Sequence, residues 1–209
     1  MMTTLLLTLT LLGTPVKFDA QATELQARSV DQLLLEARDA IDAGNDAIAR
    51  QALSAARERM TNPDPRVMFN EAVTAYRMGE YEAAEALFAL AAETAQAAEK
   101  HELASVSAYN QGNAAHRHAM QSVQEAESQP QVQKTEDAIQ SLKQAQSHLN
   151  EAMNHYRQSI GHGKDDTDAR ANAELTWRRI QELQQQQQEL EKQQEEQQQQ
   201  QQQQQQNQE

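Results

Sequence analysis

The chain of 209 residues has no cysteine, only four prolines and six glycines, and aromatic residues make up just 4% of it. Without cysteine there is no disulfide, no thiol nucleophile and no zinc–thiolate site. Alanine, glutamine, glutamate and leucine dominate instead, and they favour helices and give almost no strand signal. The sequence therefore predicts an all-α fold.

Positive charge is also scarce. The formal net charge is −13, which argues against nucleic acid and anionic lipid headgroups as partners, because both need a basic surface. Six histidines are present, but His116 and His118 point apart on a helix, and no carboxylate completes a site between His148 and His155. With no nucleophile–base pair in view, we expect no metal, no cofactor and no enzymatic activity.

The N-terminus has the pattern of an export signal. Residues 3–13 form an apolar stretch that is too short to span a bilayer, and Ala20-Gln21-Ala22 resembles a signal-peptidase site. Residues 1–22 are therefore interpreted as a signal peptide, which predicts a periplasmic or otherwise extracytoplasmic protein with no direct membrane span. No Lys or Arg precedes the apolar stretch, so a cytoplasmic protein with a frayed N-terminus stays as the alternative.

One block of sequence indicates the architecture. Gly79 is followed by Ala84, Phe88 and Ala91 at helical spacing, and Gly44 lies 35 residues upstream, followed by Ala49. Two small residues on either side of an aromatic one let a second helix approach closely. This pattern resembles the tetratricopeptide (TPR) repeat, which has a period of about 34 residues. The resemblance implies a short helical solenoid that holds a protein partner.

Aligning the chain on these glycines gives a domain over 23–182. Its repeats are predicted at about 30–63, 65–98 and 105–160, the last with an insertion at about 119–147, and a capping helix follows at 167–182. Gly112, Ala152 and Tyr156 are the predicted packing residues of the third repeat, and Trp177 is expected to fill the core beneath the capping helix.

The tail, residues 183–209, is almost entirely glutamine and glutamate. Ile180, Leu183 and Leu190 follow a coiled-coil spacing, but fewer than three apolar heptads are present. The tail is predicted to be a polyglutamine helix that frays into disorder and can self-associate.

The combination of an export signal, a short TPR array, Asp168-Ala169-x-x-Asn172-x-Glu174-Leu175 and a glutamine-rich tail resembles the TPR proteins of bacterial aerotolerance (Bat) operons. The resemblance implies an envelope scaffold whose partners include von Willebrand factor A-type proteins, beside a MoxR-type ATPase. Many such proteins also carry a membrane-spanning segment, and none is visible in this sequence.

In a TPR array the first helix of each repeat lines the concave groove. The resemblance thereby implies the following partner-binding residues: Arg38, Arg66, Phe69, Val73, Tyr76, Arg77, Tyr109, Asn113 and Arg117. Arg and Tyr are enriched in binding hot spots, and Arg holds a carboxylate through two hydrogen bonds. An acidic peptide or a free C-terminal carboxylate is the expected ligand. The alternative is that these arginines pair with Asp and Glu of adjacent helices.

Three functions stay open at this point. A non-enzymatic adaptor of the bacterial envelope is the leading interpretation. A structural protein that self-assembles through its glutamine-rich helix is the second, and a cytoplasmic TPR regulator is the third.

Overall fold

The computed structural model describes residues 28–128, 134–162 and 166–206. In these ranges every regular element is an α-helix, as the composition predicts. The helices are α1 Val30–Asp42, α2 Asp46–Arg59, α3 Pro65–Arg77, α4 Tyr81–Ala97, α5 His101–Ser128, α6 Lys134–His162 and α7 Thr167–Gln206. The predicted signal peptide, residues 1–22, lies outside the described residues.

Polar caps fix where the first three helices begin. Ser29 and Gln32 form a reciprocal capping box at α1, and the side chain of Asn45 caps α2. Asp64 caps α3 by accepting a hydrogen bond from the backbone N–H of Arg66 at 2.9 Å. The guanidinium of Arg66 also donates to Asp64, which holds the pKa of that carboxyl well below its usual range.

Three helix ends share one turn geometry. Gly44, Gly79 and Glu99 each have a positive φ, of 70°, 79° and 55°. In each case the next residue donates a backbone hydrogen bond back into the helix, at 2.8 Å, 3.0 Å and 2.8 Å. This is the Schellman ending, which favours glycine because it has no Cβ. The third turn forms without glycine, so the sequence gives no glycine signal there.

Each helix packs chiefly against the next one along the chain, and α3 also contacts α5. The cluster that joins α3, α4 and α5 is built from Ala72, Ala75, Ala84, Phe88 and Ala114, all at most 1% exposed. The alanines allow the helix backbones to come close, and the ring of Phe88 fills the remaining space.

The last three helices are longer than the first four and share a core of their own. It consists of Ala119 and Val123 from α5, Leu142, Ala145 and Leu149 from α6, and Ile180 and Leu183 from α7. The range predicted as an insertion, about 119–147, therefore contributes buried helical residues on both sides of the gap at 129–133.

Trp177 does not fill the core, contrary to the expectation from the sequence. It is 54% exposed, whereas Thr176, Ile180 and Leu183 of the same helix are buried. The reason is helical register: one residue rotates the side chain by about 100°, so a buried Thr176 turns Trp177 onto a flank of α7.

The glutamine-rich tail is helical as far as Gln206 in the described residues, where fraying was expected. Its first part packs on α6: the side chain of Gln146 donates to that of Gln187 at 2.9 Å, and Lys143 pairs with Glu191 at 3.3 Å. From 195 to 200 the side chains are exposed. None of the helices in the described ranges is long and apolar enough to cross a membrane.

Candidate functional site

A cleft of about 450 Å³ lies where residues of α3, α5, α6 and α7 meet. We call it the tyrosine cleft. Its aromatic and polar lining consists of Tyr76, Tyr109, Asn113, His116, Arg117, Tyr156, Asn172 and Thr176. The volume falls within the range of ordinary ligand pockets. Four of the nine predicted groove residues are thus brought together here, namely Tyr76, Tyr109, Asn113 and Arg117.

A network of hydrogen bonds holds the floor of the tyrosine cleft. The hydroxyl of Tyr156 donates to Asn113 Oδ1 at 2.9 Å, and Asn172 Nδ2 donates to the same oxygen at 3.0 Å. Asn172 Nδ2 also donates to the hydroxyl of Tyr109 at 3.1 Å. Tyr109 accepts in this bond and Asn113 accepts through Oδ1 in the other two. The hydroxyl proton of Tyr109 and the Nδ2 amide of Asn113 are therefore donors that these three bonds do not use.

His116 is hydrogen-bonded to α7. Its Nδ1 shares a hydrogen bond with Thr176 Oγ1 at 3.0 Å. Burial, together with the nearby Arg117 and Arg179, lowers the pKa of His116, which favours the neutral ring.

Arg117 is the cation of the tyrosine cleft. Its Nε donates to the hydroxyl of Tyr76 at 3.4 Å, and this contact raises its pKa. The lining contains no Asp or Glu, and within the described residues the groups that raise the pKa of Arg117 are the hydroxyls of Tyr76 and Tyr81 rather than a carboxylate. In a chain with a net charge of −13, an arginine without a carboxylate partner is the residue best placed to bind an anion.

Tyr156 is fixed in place by burial and by a glycine. It is 2% exposed, and burial raises the pKa of its hydroxyl. A Cβ added at Gly112 would lie only 2.6 Å from Cε1 of the Tyr156 ring. Gly112 therefore lets α6 approach α5 closely enough for Tyr156 to reach Asn113.

This contact gives the first prediction. We expect Gly112→Ala to lower the free energy of unfolding by about 1–3 kcal/mol relative to Gly161→Ala, because the added methyl overpacks against a buried ring. Both substitutions improve helix propensity, but a Cβ at Gly161 meets nothing within 4 Å. Urea denaturation of the two variants measures the difference, and equal stabilities would contradict the packing role of Gly112.

Three predicted groove arginines are paired with carboxylates, but only Arg77 pairs with an adjacent helix, as the alternative interpretation proposed. Arg38 Nη2 contacts Asp39 at 2.9 Å within α1, and Arg66 Nη2 contacts Asp64 at 2.7 Å. Arg77 reaches Asp46 of α2 at 3.5 Å. Of the four predicted groove arginines, Arg117 is the one for which no carboxylate partner is seen in the described residues, and this favours a groove role for it.

A second cleft, of about 600 Å³, lies beside the beginnings of α3 and α5. We call it the valine cleft, after Val106, which is 41% exposed. Arg66 and Phe69, two further predicted groove residues, line it. Val73 packs instead against the cluster around Phe88.

Two of the remaining histidines have acidic neighbours, and the one beside His155 comes from a different helix. His148 Nδ1 lies 3.3 Å from Glu151, and His155 Nε2 lies 3.5 Å from Glu85 of α4. The rings of His118 and His148 are 4.2 Å apart. Among the described residues no group of three or more His, Asp or Glu side chains is arranged to hold a metal ion.

Sequence reasoning placed Asn172 and Leu175 in the closing motif but did not assign them to the groove, and it missed Met120 and Thr176 altogether. The signal that could have found them is helical register: Asn172 and Thr176 are four residues apart on the face of α7 that packs inward.

No protein-family model matches the chain, and no curated protein is significantly similar to it.

Proposed function

We propose that this chain is a non-enzymatic protein–protein interaction scaffold of the bacterial cell envelope, a short TPR-type solenoid that binds a partner peptide in the tyrosine cleft. The observation that carries the proposal is Arg117, a cation without a carboxylate partner in a cleft that also offers the Tyr109 hydroxyl and the Asn113 amide as donors.

Several features support the solenoid architecture. The helices pack in chain order, and the turn glycines Gly44 and Gly79 share a left-handed conformation at a separation of 35 residues. Ala84, Phe88 and Ala91 are buried as the repeat pattern requires. The packing role of Ala49, Ala152 and Tyr156 is supported in the same way, since all three are buried.

The envelope location and the class of partner rest on the sequence. The segment 1–22 supports export, and the aerotolerance-operon resemblance favours von Willebrand factor A-type proteins as partners. The closing motif, which carries part of that resemblance, has a structural role that supports it. Ala169 is buried in a cluster with Tyr156, and Asn172 is hydrogen-bonded to two residues of the tyrosine cleft.

A capture experiment from envelope extract of the native cell tests the proposal. We expect Arg117→Gln to reduce the recovery of the bound partner at least about tenfold, since an arginine–carboxylate contact contributes roughly 1.5–3 kcal/mol. Arg157→Gln is the matched control, because its side chain is exposed and lines neither cleft. Circular dichroism confirms that both variants fold. Equal recovery by wild type, Arg157→Gln and Arg117→Gln would refute the cleft as the binding site.

A self-assembling structural protein is the second candidate, and the exposed helical stretch 195–200 is the observation that favours it. Each glutamine amide can both donate and accept, so the side chains on such a helix can form hydrogen bonds with those of a second copy. Measuring the mass in solution of a chain that lacks 195–209 distinguishes the two functions. The deletion removes the exposed stretch but spares Gln187 and Glu191, whose contacts with α6 hold the first part of the tail in place.

A further inference from the structure

The two clefts lie along the same pair of helices. α3 places Phe69 in the valine cleft and Tyr76 in the tyrosine cleft, and α5 places Val106 in the first and Asn113 in the second. In both helices the earlier residues line the valine cleft and the later ones line the tyrosine cleft. A single partner segment that follows α3 and α5 therefore meets both clefts.

The spacing of the clefts sets the spacing of the groups that they bind. Phe69 and Tyr76 are seven residues apart, as are Val106 and Asn113. At about 1.5 Å per helical residue this separation is roughly 10 Å, and it rises to about 16 Å when measured from Val106 to Arg117. An extended peptide advances about 3.3 Å per residue. Three to five peptide residues thus bridge the two clefts.

The valine cleft is suited to an apolar side chain. Phe69, Leu103 and Val106 supply its apolar wall, and the ring of Phe69 rests edge-on against Phe88 at a centroid distance of 5.5 Å. Two of its cations, Arg66 and Lys100, both contact Asp64, at 2.7 Å and 3.6 Å. Its other charged or titratable groups, His101 and Glu102, are exposed. A partner would therefore contact the valine cleft mainly through its apolar wall.

The tyrosine cleft has the opposite character. Its one charged side chain is Arg117, and Tyr109 and Asn113 add neutral donors beside it. An anion bound there would complete hydrogen bonds that the protein itself leaves open.

We infer that the partner segment is an extended acidic peptide with an apolar side chain in the valine cleft and a carboxylate on Arg117, three to five residues away. This inference rests on the proposed function and specifies its ligand. The complementarity in charge and the separation of the clefts together select this peptide chemistry over a basic or a wholly apolar segment.

Selection from a phage-displayed library of random peptides tests the inference. Wild type and the control Arg157→Gln should both enrich Asp or Glu at three to five positions from Leu, Ile, Val, Met or Phe. Arg117→Gln should lose the acidic preference and keep the apolar one. Val106→Ser should lose the apolar preference and keep the acidic one. For a selected peptide, replacing the acidic residue by its amide should weaken binding to wild type at least tenfold.

Enriched peptides without an acidic residue, a random spacing, or no enrichment at all would overturn the inference. So would an unchanged acidic preference in Arg117→Gln. The envelope capture experiment separates this failure from that of the proposed function. A captured partner that depends on Arg117 but lacks the motif preserves the scaffold and removes only the peptide chemistry, whereas capture independent of Arg117 removes the cleft as the binding site.

Discussion

Replacing Ala84 by glutamate should lower the free energy of unfolding by about 3 kcal/mol or more. Ala84 is 0% exposed and lies in a cluster with Ala72, Ala75, Phe88 and Ala114, all of them apolar. A carboxylate placed there must either stay buried without compensation or force α3, α4 and α5 apart. Urea denaturation followed by circular dichroism measures the loss.

The matched control lies two residues away on the same helix. Ala86 is exposed, so Ala86→Glu changes net charge and helix propensity by the same amounts without entering the core. We expect it to change stability by less than about 0.5 kcal/mol. If both variants unfold at the same urea concentration, Ala84 does not lie at a helix–helix contact, and the repeat alignment on Gly79 is wrong.

Local chemistry made the helices and two of the turns predictable. Gly44 and Gly79 predict left-handed helix ends. Ala84, Phe88 and Ala91 predict a buried face, because residues three and four positions apart lie on the same side of a helix. Such signals involve residues within a few positions of one another, so a single sequence displays them.

Features that depend on register or on distant neighbours were not predictable. Glu99 ends α4 in a conformation that disfavours side chains, because the backbone hydrogen bonds of that turn outweigh the strain. Trp177 is the largest apolar side chain, yet the burial of Thr176 decides which way it faces. Size and hydropathy alone do not determine helical rotation.

The residues of the tyrosine cleft also fall into a part that the sequence predicts and a part that it does not. Repeat positions predicted Tyr76, Tyr109, Asn113 and Arg117 as one surface, because they follow the period of a helix face. The part contributed by α7 was recognised only as a motif, since the bonds from Asn172 join residues about 60 positions apart. Sequence alone also could not decide which arginines would be paired, because a pair such as Arg77–Asp46 depends on how two helices stack.

The contact between α2 and α3 contains a buried ion pair, Arg57–Glu71, whose loss should destabilise the protein strongly. Arg57 donates from Nε to Glu71 Oε2 at 2.7 Å and from Nη2 to Oε1 at 3.4 Å. The Glu71 side chain is 4% exposed and that of Arg57 is 26% exposed, and the pair raises the pKa of Arg57. Arg57→Met removes the cation and leaves Glu71 buried without compensation. Breaking a buried pair in this way costs about 3–5 kcal/mol, so we expect the urea midpoint to fall sharply.

A second substitution, at Glu71, separates two contributions to the lost stability: the missing attraction between the two side chains and the cost of burying the Glu71 carboxylate without a partner. In the double variant Arg57→Met/Glu71→Met the contact becomes apolar, and stability should return to within about 1–2 kcal/mol of wild type, because a buried pair and apolar residues of similar volume are often equivalent. Arg38→Met serves as the surface control and should cost less than about 1 kcal/mol, since the side chains of Arg38 and Asp39 are 66% and 63% exposed. A double variant no more stable than Arg57→Met would show that the pair itself, rather than the isolated carboxylate, holds α2 against α3. An unchanged single variant would mean that Glu71 is solvated in solution and that this helix contact is looser than the structure describes.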